Sequence, residues 1–215
     1  MIALSNFAYG VVIGSDAILL DVRADRYHAM VGAAADKDGP IPLPETGRHL
    51  VPEAWTALIE TGLAFRGSGR GFSNLHRPEH ALVLSEDICE RSTLRDSVDL
   101  VVAIMTARWR LRRGLPCRSY NATRRAPNAA TVTALHSAMT ALRRVRLFIP
   151  TPRRCLPASL ITALFLARRG VTTQIVFGVR SYPFEAHCWV EHDGVVVDDD
   201  LDKVCAFLPI VVGHP

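Results

Sequence analysis

Three residues of this chain stand where acyl-transfer chemistry needs them. Cys155 follows the breaker Pro152 and opens a stretch that stays apolar almost all round as far as Arg168. A cysteine at the mouth of a buried helix meets unpaired N–H groups and the positive end of the helix dipole, which favour its thiolate, and Arg153 and Arg154 add positive charge. Pro157 is tolerated there because it falls in the first turn. His187 lies in Ala186-His187-Cys188-Trp189-Val190-Glu191, which reads as a strand, and after a turn the chain returns through Val195-Val196-Val197 to Asp198, Asp199 and Asp200. Nucleophile, base and orienting carboxylate are thereby all supplied. In this reading Cys155 attacks a peptide carbonyl, His187 pairs with the thiolate and protonates the leaving amine, and Asp199 fixes the ring. The Cys155 N–H is a natural oxyanion donor, whereas the one glutamine, Gln174, follows the nucleophile and suggests no second donor.

Hairpin register decides which aspartate meets His187. A three-residue loop, His192-Asp193-Gly194, makes paired residue numbers sum to 386 and sets Asp199 opposite His187; this is the preferred register, with Gly194 in the left-handed position. A two-residue Asp193-Gly194 turn makes the sum 387 and brings Asp200 there instead, with Asp198 on the same face. Both registers stay open. Taken singly, a cysteine in an apolar helix is usually inert, a strand histidine is usually a core residue and an Asp triplet usually a solvated turn. It is their order, helix-borne Cys, strand-borne His, adjacent-strand Asp, that matches the transglutaminase-like and papain-like arrangement. By alternation along the strand Cys188 points away from the face of His187, and His192 falls in the turn, so both are read as structural.

The elements that must hold these residues follow from periodicity. A helix from about Thr93 to Arg112, with Ser92 as candidate N-cap, carries Leu94, Val98, Val101, Val102 and Met105 on its apolar face. A second, from about Ala129 to Leu147, repeats apolar residues at Val132, Leu135, Met139, Leu142 and Val145. The nucleophile helix ends at Gly170, and Thr173 to Val179 reads as a strand buried on both faces. Ahead of these, Tyr9 to Ile13, Ala17 to Val22 and Tyr27 to Val31 form a β-meander, and a helix opened by Pro52 buries Trp55, Leu58 and Ile59 before Gly62 stops it. The glycine-dense Arg66 to Ser73 reads as a flexible connection, giving a winged-helix-like unit over 1–65, a linker over 66–80 and an α+β peptidase unit over 81–215.

Composition narrows the setting. Apolar residues are 49% and charged residues 21% of 215, the make-up of a folded domain, with neither a secretory signal nor an apolar run able to cross a bilayer. The expectation is a cytoplasmic protein. Five scattered cysteines without a CxxC pair indicate neither a disulfide framework nor a zinc knuckle, so no metal or other cofactor is expected. Residues 1–65 hold four basic and eight acidic side chains, while 100–184 hold fifteen arginines and no acid. That basic middle is either solvated helix faces or a surface for an acidic partner; aromatics interleaved as stacking platforms are lacking, so nucleic acid is not expected, nor a membrane.

The runs Arg-Cys-Leu-Pro-Ala-Ser-Leu from Arg154, Pro-Phe-Glu-Ala-His-Cys-Trp-Val-Glu from Pro183 and Asp-Gly-Val-Val-Val-Asp-Asp from Asp193 resemble the leader peptidase, or B protein, of lasso-peptide biosynthesis. The likeness is strongest over 151–200. It implies a Cys155/His187/Asp199 triad, a precursor peptide as substrate and an ATP-dependent lasso cyclase as partner; the family often has Asn-Asp where this chain has Asp198-Asp199. The first unit resembles the recognition domain for leader peptides, with Ala17 to Asp21, including Leu19 and Leu20, and Tyr27 matching its second and third strands. Such domains take the leader as an added strand. Here Val31 to Val51 is rich in Gly and Pro where a first helix is expected, so that unit is similar only in part. Two rivals share the sequence: a transglutaminase or other acyltransferase on the same fold, and a non-catalytic peptide-binding module.

Overall fold

The computed structural model describes residues 2–35, 49–73, 75–83, 93–114, 117, 119–121, 132–152 and 154–215. The chain forms two compact units, the first made of Met1–His76 with Gly178–Ala186 and Phe207–Val211, the second of Arg77–Phe177, His187–Ala206 and Val212–Pro215.

In the first unit β1 (Ile2–Leu4), β2 (Ala8–Ile13), β3 (Asp16–Asp21) and β4 (Arg26–Met30) are followed by the short β5 (Ala34–Ala35) and β6 (His49–Leu50), then α1 (Pro52–Glu60) and β7 (Ala64–Arg66). Strands β2, β3 and β4 form the expected antiparallel meander, with β3 in the middle and Leu19 paired to Gly10 on one side and His28 on the other. Its apolar face and Trp55 and Leu58 of α1 share one core with Leu4, Ala17, Leu50 and Leu63. The glycine-dense stretch after β7 is fixed to this core, not free as its composition suggests: the Leu4 N–H donates to Arg70 O (2.8 Å) and the Ser73 N–H to Gly10 O (2.6 Å). Phe72 explains Gly10. A Cβ on that glycine would fall 2.7 Å from the Phe72 ring, which packs flat where a side chain would stand. The partly buried Phe72 ring, edge-on to Trp55, and these two backbone bonds together anchor the stretch.

The second unit contains β8 (His80–Ala81), α2 (Leu94–Arg112), β9 (Ser119–Asn121), α3 (Val132–Arg146), α4 (Cys155–Arg168), most of β10 (Gln174–Arg180) and β11 (Glu185–His192), β12 (Val195–Val196), α5 (Leu201–Cys205) and the end of β13 (Leu208–His214). The described residues form a six-stranded sheet in the order β8-β12-β11-β10-β13-β9. Strand β10 is interior and buried along nearly its whole length, which fits its apolar run from Ile175 to Val179. Helix α3 buries Leu135, Met139, Leu142 and Val145 as its periodicity predicts; the candidate start of that helix at 129–131 lies outside the described residues.

Helix α2 departs from expectation. Its N-cap is Thr93, in a reciprocal capping box with Asp96, while Ser92 lies outside the described residues. The apolar face read from sequence does not enter the core: Leu94, Val98, Val101, Val102 and Met105 are exposed, and the buried face is Asp96, Asp99, Leu100, Ala103, Ala107 and Arg110. Ion pairs explain the reversal. Asp99 accepts from Arg168 (2.8 Å) and Arg169 (3.0 Å) at the end of α4, and Asp96 from Arg169, so two buried carboxylates are neutralised by the helix that carries Cys155. Small Ala103 and Ala107 let α2 and α4 approach closely. Helix α4 itself ends in a Schellman turn, with Val171 N–H to Leu166 O (3.0 Å), Gly170 N–H to Ala167 O (3.1 Å) and Gly170 at φ +75°.

Candidate active site

Helix α4 begins at Cys155 itself, with Arg154 as an N-cap that makes no side-chain capping bond; Arg153 lies outside the described residues. The first bond back into the helix is from Ala158 N–H to Arg154 O (3.1 Å), so the N–H groups of Cys155 and Leu156 have no partner within the helix and crowd positive potential around the sulfur. Beneath it Leu160, Ile161, Ala163, Phe165 and Leu166 are buried, which seats the helix mouth rigidly.

The hairpin turns on Asp193 (φ +52°) and Gly194 (φ +84°), the left-handed pair of a two-residue type I′ turn. Glu191 pairs with Val196 and His192 with Val195, so the residue numbers sum to 387 and the preferred three-residue loop is wrong. His192 consequently belongs to β11 rather than the turn, its Nδ1 within 2.7 Å of Thr172 O. Register alone would set Asp200 against His187. Yet the ladder stops at Val197, whose N–H donates to Val190 O (3.0 Å), and the three aspartates then diverge. Asp198 turns inward and accepts from Val190 N–H (2.7 Å) and the Ser159 hydroxyl (3.3 Å). Asp200 caps α5, accepting from Asp202 N–H (2.8 Å) and Lys203 N–H (3.2 Å). Asp199 is left to meet His187, with Oδ2 2.5 Å from Nε2. The residue singled out is the one at the imidazole, through strand termination instead of strand pairing.

With Nε2 held by Asp199, the other ring nitrogen is available to the sulfur, and the thiol of Cys155 is in hydrogen-bonding contact with His187 and with Cys188. Contact with the Cys188 thiol, then with the His187 ring and the Cys188 backbone N–H, brings Cys155 down to about 4 against the desolvation that opposes it. Burial works against a charged His187, but the hydrogen bonds it donates to Asp199 and Cys155 raise it to about 9. Asp199 likewise resists burial and falls to about 2 through His187, the Lys203 ammonium 3.0 Å away and the Asp200 N–H. The site therefore holds thiolate, imidazolium and carboxylate together over a wide pH range. Burial pushes Asp198 up to about 6 despite its Val190 bond and the nearby Arg146 charge.

Strand alternation assigns Cys188 to the far face, and the structure corrects that assignment. Its thiol lies against Cys155, and its carbonyl accepts from Ser159 (3.2 Å), so Ser159 links α4, β11 and Asp198. Ser159 and Lys203 carry no signal in the sequence beyond their nearness to the three residues singled out, and Asp198 stands there only on the face of the alternative register. Leu19 and Leu20 lie buried in the central strand β3, where they cannot line a sheet edge; Tyr27 is half-buried on the edge strand β4, its ring 5.7 Å from that of Phe184. A small recess lined by Thr172, Gln174, Glu191, Asp193 and His214 sits at the turn end of the hairpin, away from His187. Among the described residues no group of three or more His, Cys, Asp or Glu is arranged to hold a metal ion, and no helix is long and apolar enough to cross a membrane.

The model of the transglutaminase-like superfamily matches residues 98–212, more than half of the chain and nearly everything from α2 to the last strand. The chain belongs to that superfamily. No curated protein and no solved structure matches it. The transglutaminase-like superfamily is typically enzymatic, with cysteine-protease or acyltransferase chemistry, and its matched region contains Cys155, His187 and Asp199.

Proposed function

We propose that this chain is a cysteine peptidase that removes the leader from a ribosomally made lasso-peptide precursor, with Cys155 as nucleophile, His187 as acid and base, and Asp199 as orienter. The observation that carries the reading is the chain of contacts from the sulfur at the mouth of α4 through the His187 ring to Asp199. The Cys155 thiolate adds to the scissile carbonyl carbon, and the oxyanion forms against the Cys155 and Leu156 N–H groups. His187, protonated, gives its sulfur-facing proton to the departing amine as the C–N bond breaks. A thioester remains. Neutral His187 then takes a proton from water, which attacks the thioester and releases the leader carboxylate and the thiolate. The other product is a core peptide with a free N-terminal amine, the nucleophile that a partner ATP-dependent cyclase needs to close a macrolactam.

The lasso assignment rests on the sequence runs around Cys155, His187 and Asp199. Recognition falls to the first unit, where β4 is an edge of the meander and Tyr27 sits on it, an arrangement suited to a leader adding as a further strand. Leu19 and Leu20 lie in β3, the strand paired with that edge. The test is incubation of the protein with a precursor encoded nearby, with and without the cyclase and with a primary amine added, followed by mass spectrometry. Leader and core fragments that vanish in Cys155→Ala are expected. An amine-tagged or cross-linked product instead establishes the acyltransferase, and a Cys155→Ala variant equal to wild type a binding module.

A further inference from the structure

On one side of α4 three polar side chains interrupt the apolar surface. At about 100° per residue Cys155, Ser159 and Thr162 fall within a stripe about 60° wide. The stripe faces β11 and the end of the hairpin: the Ser159 hydroxyl, one turn along from the sulfur, donates to Cys188 O (3.2 Å) and to Asp198 Oδ2 (3.3 Å). Thr162 donates to Ala158 O (3.0 Å) and accepts from Arg146 Nη2 of α3 (2.7 Å), which holds that guanidinium near Asp198.

Asp198 stands where these elements meet. Its Oδ1 accepts from Val190 N–H (2.7 Å), on the strand that carries His187, and its Oδ2 accepts from Ser159, on the helix that carries Cys155. The next residue in the chain is Asp199. One side chain is thereby bonded to the strand of the base and to the helix of the nucleophile, and is joined through the backbone to the orienter. Strand pairing ends at Val197, so side-chain bonds decide the path of the chain from there. Lys203 Nζ (3.0 Å) and Asp200 N–H (2.9 Å) also hold Asp199, but both follow it in the chain and belong to α5 and its cap.

We propose that Asp198 is a positioning residue of the triad: by tying the end of the hairpin to β11 and α4 at once, it aims the Asp199 carboxylate at His187 Nε2. This role rests on the triad as proposed above and deepens it. The bonds of Asp198 set the aim, and its charge does not. An amide at this position keeps the shape: Oδ1 still accepts from Val190 N–H, Nδ2 donates to Ser159 Oγ, and the Ser159 proton stays with Cys188 O. Arg146 then loses its nearby anion, which costs stability and leaves the geometry in place.

Alkylation of Cys155 by iodoacetamide against pH tests this without a substrate, because its upper step, near 9 in the wild type, reports the hold of Asp199 on His187. Asp198→Ala is expected to lower that step by about 1 unit or more, the loss of a charge-assisted hydrogen bond. Asp198→Asn is expected to leave it near 9. Since Asp198 acts through Asp199, adding Asp198→Ala to Asp199→Asn is expected to lower the step no further. Ser159→Ala suits a helix interior and removes one of the two ties, so it is expected to lower the step by less than about 1 unit. A side chain that only supported the fold would change the melting temperature and not the step. The role of Asp198 is overturned by a step unmoved in Asp198→Ala, or in Ser159→Ala where the former does not fold. It is equally overturned by an Asp198→Asn step that falls as far as that of Asp198→Ala, or by a double variant lower than Asp199→Asn alone. A wild type with no step near 9 overturns the triad itself and this role with it, which tells the two failures apart.

Discussion

Replacing Asp199 by Asn keeps the size of the side chain, removes one negative charge and leaves a carbonyl oxygen to accept from His187 Nε2. The bond it weakens is 2.5 Å long and charge-assisted. Hydrogen bonds to charged groups contribute about 1.5–3 kcal/mol, and 1.36 kcal/mol corresponds to one pH unit, so His187 should lose about 1–2 units. Its titration, at about 9 in the wild type, then falls to about 7–8. The sign is fixed by charge: the carboxylate favours the imidazolium, so its loss lets the proton leave at lower pH. Cys155 and His187 titrate as a pair, and the rate of alkylation of Cys155 by iodoacetamide against pH, followed by mass spectrometry of the tryptic peptide, reports both steps without any knowledge of the substrate. Two steps are expected in the wild type, near 4 and near 9, and an upper step displaced downward in Asp199→Asn. Cleavage should fall about 10- to 100-fold, the same energy read as rate, with a narrowed pH profile. An upper step that stays near 9, or one that Asp200→Asn moves as far, refutes the assignment of Asp199.

Cys188→Ala removes the thiol that contacts Cys155 but keeps the backbone N–H of that position. The S–H of Cys188 is a weak donor to a charged acceptor, and a contribution of about 1–1.5 kcal/mol makes the lower step rise by up to about one unit; a lower step unmoved in the same alkylation series counts against the contact. Asp99→Ala leaves the guanidiniums of Arg168 and Arg169 without their shared carboxylate. Breaking a buried pair costs about 3–5 kcal/mol, reduced to about 2–3 here because Arg168 is 42% exposed, and a fall of about 5–10 °C in Tm is expected by calorimetry. A loss under about 2 °C would mean that packing of α2 on α4 does not rely on those charges.

Several features of the fold are legible from neighbouring residues alone. The breaker before Cys155 and the apolar run after it dictate a buried helix with a thiolate-favouring mouth; the turn residues Asp193 and Gly194 dictate a hairpin; alternating and continuous apolar runs dictate the meander and β10. Each depends on residues within a few positions of one another. Other features needed partners distant in the chain. Which aspartate reaches His187 depends on where the β11–β12 ladder ends and on Asp200 being drawn into the cap of α5, and neither is encoded in a two-residue repeat. Cys188 comes to Cys155 although alternation along the strand sets neighbours on opposite faces, a contact that depends on where the mouth of α4 lies against β11. Helix α2 turns its apolar face outward because Arg168 and Arg169, some seventy residues away in sequence, offer its two acids partners that water cannot match once α4 is packed. Periodicity reports that a helix is two-faced; only long-range partners choose which face is buried.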